Sequence, residues 1–480
     1  MISFQNFSFR YEESKDFTLR GIDMTVRTGE FILLTGRSGC GKTTLIRSLN
    51  GLIPHFYPGE IKGDLLMDGH SLLEMKPSEL AGQVGTVFQD PRSQFFMTDT
   101  TRELAFGCEN LGLAREETID RIARAAKELE LVEYLNRSIF ALSSGEKQQI
   151  AIGSVYALAP KVYIFDEPSA NLDYAATKRL AEIMGKLKHA GYTIFVVEHR
   201  FYYLRDLIDR AFLIQNGKIE HEFTREQFCS LPEETRISYG LRTAYPERDA
   251  EHYQEKPHTK DETHRLEVHN LSFAYKKGPD IFHNVSFEAH AGDVIGILGH
   301  NGAGKTTLLR LLAGILKPDT GVISRAYEHV GILSFGSGFE DRLSGRQNIM
   351  LEGIQMGVPR RKILQHVDPI IELAGLGEFI DQPIKVYSSG MRTRLGFAIA
   401  YYLHSQVLLI DETFVAGDDE FQKKAGRLIT EKIQSGITVV MVSHALSVLE
   451  HLCNRIIQIE NGVSLPELPV RESIERYRHQ

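Results

Sequence analysis

No stretch of this 480-residue sequence approaches roughly 18 uninterrupted apolar residues, so no segment is expected to cross a membrane as a helix. The start, MISFQNFSFRYEE, lacks the basic-then-apolar layout of an export signal. Cysteine is scarce. Cys40, Cys108, Cys229 and Cys453 are scattered without close pairs, which argues against a disulfide framework or a zinc site and fits a reducing cytosol. Positive charge is not in excess either: 55 Lys and Arg against 63 Asp and Glu leave a formal charge of -8, with no overall attraction to nucleic acid. There is no room for the long heptad arrays of a coiled-coil chromosome or repair factor. What remains, 42% apolar and 25% charged residues, is the balance of a globular protein, and the length suits two large domains.

What is present is present twice. GRSGCGKTT (36–44) returns as GHNGAGKTT (299–307), LSSGE (142–146) as YSSGM (387–391), FDE ending at Glu167 as IDE ending at Glu412, and EHR at His199 as SHA at His444. Lys42 and Lys305 are offset by 263 residues and the later pairs by 245, so the second copy is shorter between its glycine loop and its Ser-Ser-Gly. Residues 222–265 are charged and lack a sustained apolar period. The expected division is 1–222, a charged linker over 223–265, and 266–480.

In both FILLTGRSGCGKTTLIRSLN and VIGILGHNGAGKTTLLRLLAG an apolar strand runs into a glycine loop and then an amphipathic helix, the context that G-x-x-x-x-G-K-[ST] requires. Gly36, Ser38, Gly39 and Gly41, like Gly299, Asn301, Gly302 and Gly304, let backbone amides face a β-phosphate. Lys42 or Lys305 then bridges the β- and γ-phosphates, Thr43 or Thr306 ligates Mg2+, and Thr44 or Thr307 continues the cradle. An ordinary glycine turn accounts for one such pattern by chance, but not for two in the same context.

KVYIFDEPSANLD and QVLLIDETFVAGD read as buried parallel strands ending in paired carboxylates. Asp166 and Asp411 suit a metal ion, and Glu167 and Glu412 suit activation of a water. A solvated acidic turn is the bland alternative, made weaker by the fixed distance of each pair from its Ser-Ser-Gly. His199 and His444 end further apolar strands, where each can hold a phosphate and a water in place. Ser143, Ser144 and Gly145, and Ser388, Ser389 and Gly390, precede helices. They read either as plain N-caps or as anion-binding helix starts.

These motifs resemble those of ATP-binding-cassette (ABC) ATPases, over essentially the whole chain. The resemblance implies two P-loop α/β domains, each with a mainly parallel RecA-like sheet, an antiparallel β subdomain and a helical signature subdomain. It also implies ATP and Mg2+ as ligands, and two sites shared head to tail between the halves. One site would use Lys42, Thr43, Gln89, Asp166, Glu167 and His199, with Gln89 also on the metal, completed by Ser388 and Gly390. The other would use Lys305, Thr306, Asp411, Glu412 and His444, completed by Ser143 and Gly145. Tyr11 and Tyr275 match the family's adenine-stacking aromatic, although a strand tyrosine is otherwise a packing residue.

The first half, through VFQDPRSQFFMTDTTRELAFG and VVEHR, resembles ATPases of energy-coupling-factor importers. The second, through FGSGFEDRLSGRQNI and DETFVAGDDEFQKK, is similar to ATPases of polysaccharide and teichoic-acid exporters. Integral membrane transporter subunits are the implied partners, with the chain on the cytoplasmic face of the membrane and import favoured over export. Phe335 aligns with Gln89, and the stretch from Lys305 to Phe335 is 30 residues against 47 from Lys42 to Gln89, so a strand pair is expected to be missing. A ribosome- or nucleic-acid-associated tandem cassette is the competing class. Residues 221–265, with 10 acidic against 7 basic side chains, lack the basic arm that it would need.

Overall fold

The computed structural model describes residues 1–480 except 13, 38, 171, 242–264, 276–279, 326–329, 334–338, 404–406, 412–418, 444–445 and 480. By its internal contacts the chain divides into two compact units, Met1–Pro246 and Glu247–Gln480.

The strands described in the first unit are β1 (Ile2–Tyr11), β2 (Leu19–Val26), β3 (Phe31–Thr35), β4 (Gly59–Met67), β5 (His70–Ser71), β6 (Val84–Val87), β7 (Val162–Asp166), β8 (Thr193–Val197), β9 (Arg210–Gln215) and β10 (Lys218–Thr224). They form an antiparallel sheet ordered β2-β1-β4-β5 and a second sheet ordered β10-β9-β3-β8-β7-β6. The second is parallel except for β10, which closes one edge antiparallel to β9.

The unbroken apolar runs FILLT, VYIFD and TIFVV arise because this parallel sheet is covered on both faces. Successive side chains alternate between two separate cores, as a strand's period of two demands. Ile32, Leu34, Ile164, Phe195 and Val197 pack with Phe4, Phe7 and Phe9 of the antiparallel sheet. Leu33, Phe165 and Val196 pack on the other side with Leu104, Ala125 and Ile150. Those three belong to the helices Thr100–Asn110, Arg115–Glu128 and Ser144–Ala157.

The second unit repeats the plan with β11 (Arg265–Ala274), β12 (Asp280–His290), β13 (Val294–Leu298), β14 (Thr320–Arg325), β15 (Val330–Leu333), β16 (Val407–Asp411), β17 (Thr438–Val442), β18 (Arg455–Glu460) and β19 (Val463–Ser464). Their order is β14-β11-β12-β19-β18-β13-β17-β16-β15, with β19 bridging the antiparallel and parallel parts. The helices Gly345–Gln355, Arg360–Ala374 and Ser389–Leu403 supply its helical part. Each unit is therefore the expected α/β cassette.

Two expectations need correction. Residues 223–241, assigned to a linker by their charge, belong to the first unit. β10 runs to Thr224, Phe228 is 1% exposed, and Leu241 reaches the same core. Arg225, Glu226 and Glu234, among the charges that suggested a linker, are exposed, while Phe228 and Leu241 are buried; the remainder of the expected linker, 242–264, lies outside the described residues. The shortening of the second copy is also not the loss of a strand pair. β14 pairs antiparallel with β11 as β4 does with β1. Among the described residues, what has no counterpart is two-residue β5 and the one-turn helices Leu52–His55 and Pro77–Leu80. No helix among the described residues is long and apolar enough to cross a membrane.

Candidate functional site

β3 runs into a loop whose glycines take left-handed backbone angles, φ 138° at Gly36, 77° at Gly39 and 111° at Gly41. A Cβ on Gly36 would lie 2.2 Å from the Ile214 carbonyl oxygen, so only glycine fits. The loop ends at the helix Lys42–Leu49, whose first amides and positive dipole end are open to an anion. Lys42 is buried, and its Nζ donates to the carbonyls of Gly36 at 2.8 Å and Arg37 at 2.9 Å. Thr43 and Thr44 follow in the first turn. Ser38 lies outside the described residues.

The second loop is built alike. Gly302 and Gly304 have φ 87° and 85°, Asn301 stands between Gly299 and these turns, and Lys305 Nζ donates to the carbonyls of Gly299 at 2.7 Å and His300 at 3.0 Å.

Each tyrosine matched to adenine stacking meets its own loop helix. The Tyr11 hydroxyl is 3.1 Å from Thr44 Oγ1, and that of Tyr275 is 3.4 Å from Thr307 Oγ1. Tyr11 sits edge-on to Phe9 and Tyr57, while the Arg47 guanidinium lies 4.3 Å over the Tyr57 ring and donates to the Tyr11 hydroxyl at 3.3 Å. Arg47 carried no signal in the sequence, being one basic residue on an amphipathic helix.

The catalytic candidates of the first half converge. Asp166 ends β7, and burial, reinforced by the neighbouring Glu167 charge, pushes its pKa up to about 6 against the opposing pull of Arg47 and Lys42. A half-buried carboxyl beside a second one is an oxygen donor set short of positive charge, the environment that a hard divalent cation fits. In the second half Thr306 Oγ1 donates to Asp411 Oδ1 at 3.2 Å, close enough for both oxygens to reach one ion.

Glu167 has φ 44°, a left-handed angle that costs a non-glycine residue energy. Its amide is anchored to the Val197 carbonyl at 2.9 Å. Its carboxylate meets Gln89, whose Nε2 donates to Oε2 at 3.1 Å, and His199, whose Nε2 is 3.4 Å from Oε1. Gln89 comes from the segment after β6 and His199 from the segment after β8, on either side of β7 in the sheet. Glu412, His444 and Phe335 lie outside the described residues.

Ser143 caps the helix Ser144–Ala157, accepting from the Glu146 amide at 3.3 Å, while Glu146 Oε2 accepts from the Ser143 amide at 2.6 Å. The plain N-cap reading thus holds for its hydroxyl, and Ser144 and Gly145 form the first turn. Ser388 Oγ accepts from the Met391 amide at 3.2 Å ahead of Ser389 and Gly390, and methionine cannot return the second bond of a capping box.

Sequence reasoning passed over Glu198. It is 2% exposed and accepts four hydrogen bonds beside His199. Its signal was a charged residue closing an otherwise apolar strand.

The ABC transporter family model matches residues 19–170 and 282–415. A Treponema denticola protein named as an ABC transporter ATP-binding protein is 34% identical over 98% of this chain and 97% of its own length. A Vibrio vulnificus protein of the same description is 30% identical over 98% of this chain and 90% of its own length. Among solved structures, an archaeal ribosome recycling factor in complex with a ribosomal stalk protein superposes with a TM-score of 0.67 at 21% identity, covering 98% of this chain and 92% of that one. That likeness is one of fold. With two phosphate loops, two Asp-Glu strand ends and a family match in each half, the chain belongs to the ABC transporter family as a tandem ATP-binding-cassette ATPase.

Proposed function

We propose that the chain is the energising subunit of a membrane transporter, with two MgATP sites that open and close the halves against each other. The observation carrying the hydrolytic part is the convergence of Gln89 and His199 on the Glu167 carboxylate, one residue beyond half-buried Asp166. Glu167 accepts a proton from the attacking water. His199 and Gln89 hold that carboxylate and the γ-phosphate side of the site in register, and Lys42 meets the β- and γ-phosphates. Thr43, Asp166 and Gln89, and Thr306 and Asp411 in the second half, are the residues that would hold Mg2+. When bound, the ion supplies charge neutralisation at the phosphates. Glu412 and His444 take the corresponding roles. The resemblance to ABC ATPases implies that the signatures Ser143–Gly145 and Ser388–Gly390 each serve the opposite half's site.

The transporter reading rests on the naming of full-length relatives as transporter ATP-binding proteins. It is also supported by exposed Phe96, stacked at 4.7 Å on half-buried Phe106 beside the Gln89 segment, an apolar feature suited to a partner. An energy-coupling-factor importer is the preferred class, on the motifs of the first half. The likeness in fold to the ribosome recycling factor makes a ribosome-associated ATPase the competing reading. Photocrosslinking from Gln94 and Phe339 in cells, followed by membrane flotation and ribosome sedimentation, tests both. Crosslinks to integral membrane proteins support the transporter, and co-sedimentation with ribosomes without such crosslinks overturns it.

A further inference from the structure

The carboxylate of Glu198 has two oxygens with different duties. Oε1 accepts from the backbone amides of His199 at 2.8 Å and Arg200 at 3.0 Å, which fixes the turn that projects the His199 side chain. Oε2 accepts from the hydroxyls of Ser169 at 2.7 Å and Tyr203 at 2.8 Å. Ser169 lies two residues after Glu167, is 1% exposed, and belongs to the loop that follows β7. A single buried planar group therefore spans the loop carrying Glu167 and the loop carrying His199. The sheet joins these loops only up to the Asp166–Val197 pair and the bond from the Glu167 amide to the Val197 carbonyl. Beyond that point, among the described residues, Glu198 links the two loops alongside the His199–Glu167 contact itself. A buried charge stays in place when each oxygen is satisfied by donors, and here four donors do so.

We propose that Glu198 is a positioning residue for hydrolysis at the Lys42 site: by bridging Ser169 to the His199–Arg200 amides it holds the His199 imidazole against Glu167. This rests on the reading of Glu167 and His199 given above. The second half has Ser443 at the matching position, and a serine side chain is too short to span two loops and gather four donors.

The role lies in reach more than in charge, and this separates the variants. In E198Q the Ser169 and Tyr203 hydroxyls turn to accept from the new amide, and the span is kept. E198D keeps the charge and loses the span. S169A removes one hydroxyl at the Glu167 end and is the variant least exposed to misfolding. Y203F removes a donor to the same Oε2 without touching the Glu167 loop.

The test uses the full chain with 8-azido-ATP and vanadate, trapped nucleotide being mapped to each half by peptide mass, beside equilibrium nucleotide binding and thermal melting. The expected result is a loss of trapping in the first half by about fivefold or more in S169A and E198D. Trapping in the second half, nucleotide affinity, and E198Q and Y203F should stay within about twofold of the parent. Full trapping in both S169A and E198D overturns the proposal, as does a loss that is equal in the two halves or that follows melting temperature across the series. E167Q run alongside separates the two layers. If E167Q is inactive in the first half while S169A and E198D are not, only the positioning role falls. If E167Q traps normally, the hydrolytic reading falls and takes the positioning role with it.

Discussion

Gln89 donates its side-chain amide to Glu167 Oε2 at 3.1 Å, across the gap between the ends of β6 and β7. The segment leading to Phe96, proposed above to meet a partner, and the carboxylate proposed to act in hydrolysis are thus one hydrogen bond apart.

Replacing Glu167 and Glu412 together by Gln keeps their shape and removes the proton acceptors. Steady-state phosphate release should fall by about 10²-fold or more, the scale of lost general-base catalysis, while nucleotide binding persists. Turnover near the parent value would remove both residues from the chemistry.

If the head-to-tail pairing that the resemblance implies is right, Ser388→Arg should cripple hydrolysis at the site built on Lys42 while nucleotide still binds at Lys305. Half-specific photolabelling reads this directly. Damage confined to the Lys305 site would contradict the head-to-tail arrangement.

Tyr11→Phe keeps the ring against Phe9 and Tyr57 and removes the hydroxyl that meets Thr44 and Arg47. The ATP KM should rise no more than a few fold, whereas Tyr11→Ala, which loses the ring, should raise it by about tenfold, in line with an aromatic stacking contact of about 1.4 kcal/mol. Equal effects of the two changes would assign the affinity to the hydroxyl and not to stacking.

Phe228→Ala tests the reassignment of residues 223–241. Its side chain is 1% exposed and packs on Phe201 at 4.7 Å and Phe223 at 5.9 Å. Loss of a buried phenylalanine should cost about 3–5 kcal/mol in urea unfolding of the first unit. A linker residue would cost almost nothing.

The apolar strand that ends in a glycine loop and the apolar strand that ends in Asp-Glu could each be read from sequence, because a doubly covered parallel strand leaves a run that no surface segment shows. Their repetition supplied the cassette plan. The segment after β10 escaped because Phe228 and Leu241 are two buried anchors among many charges, too few to establish a period. Glu198 escaped for the opposite reason: one charge beside a conspicuous histidine looks like the strand's exposed end, and its burial depends on donors from Ser169 and Tyr203 that only the fold brings near. Arg47 became visible only when the helix set it over Tyr57.

The strands of the first unit send neighbouring side chains into opposite cores, Ile32 and Leu34 to one and Leu33 to the other, Ile164 to one and Phe165 to the other. Neither core can melt while the other survives, since both hang from the same five or six backbones. The antiparallel layer, the helical layer and the loop bearing Lys42 should therefore denature in one cooperative transition. Ligand held at that loop will protect amide hydrogens as far away as β1 and the helix Thr100–Asn110 from exchange with solvent.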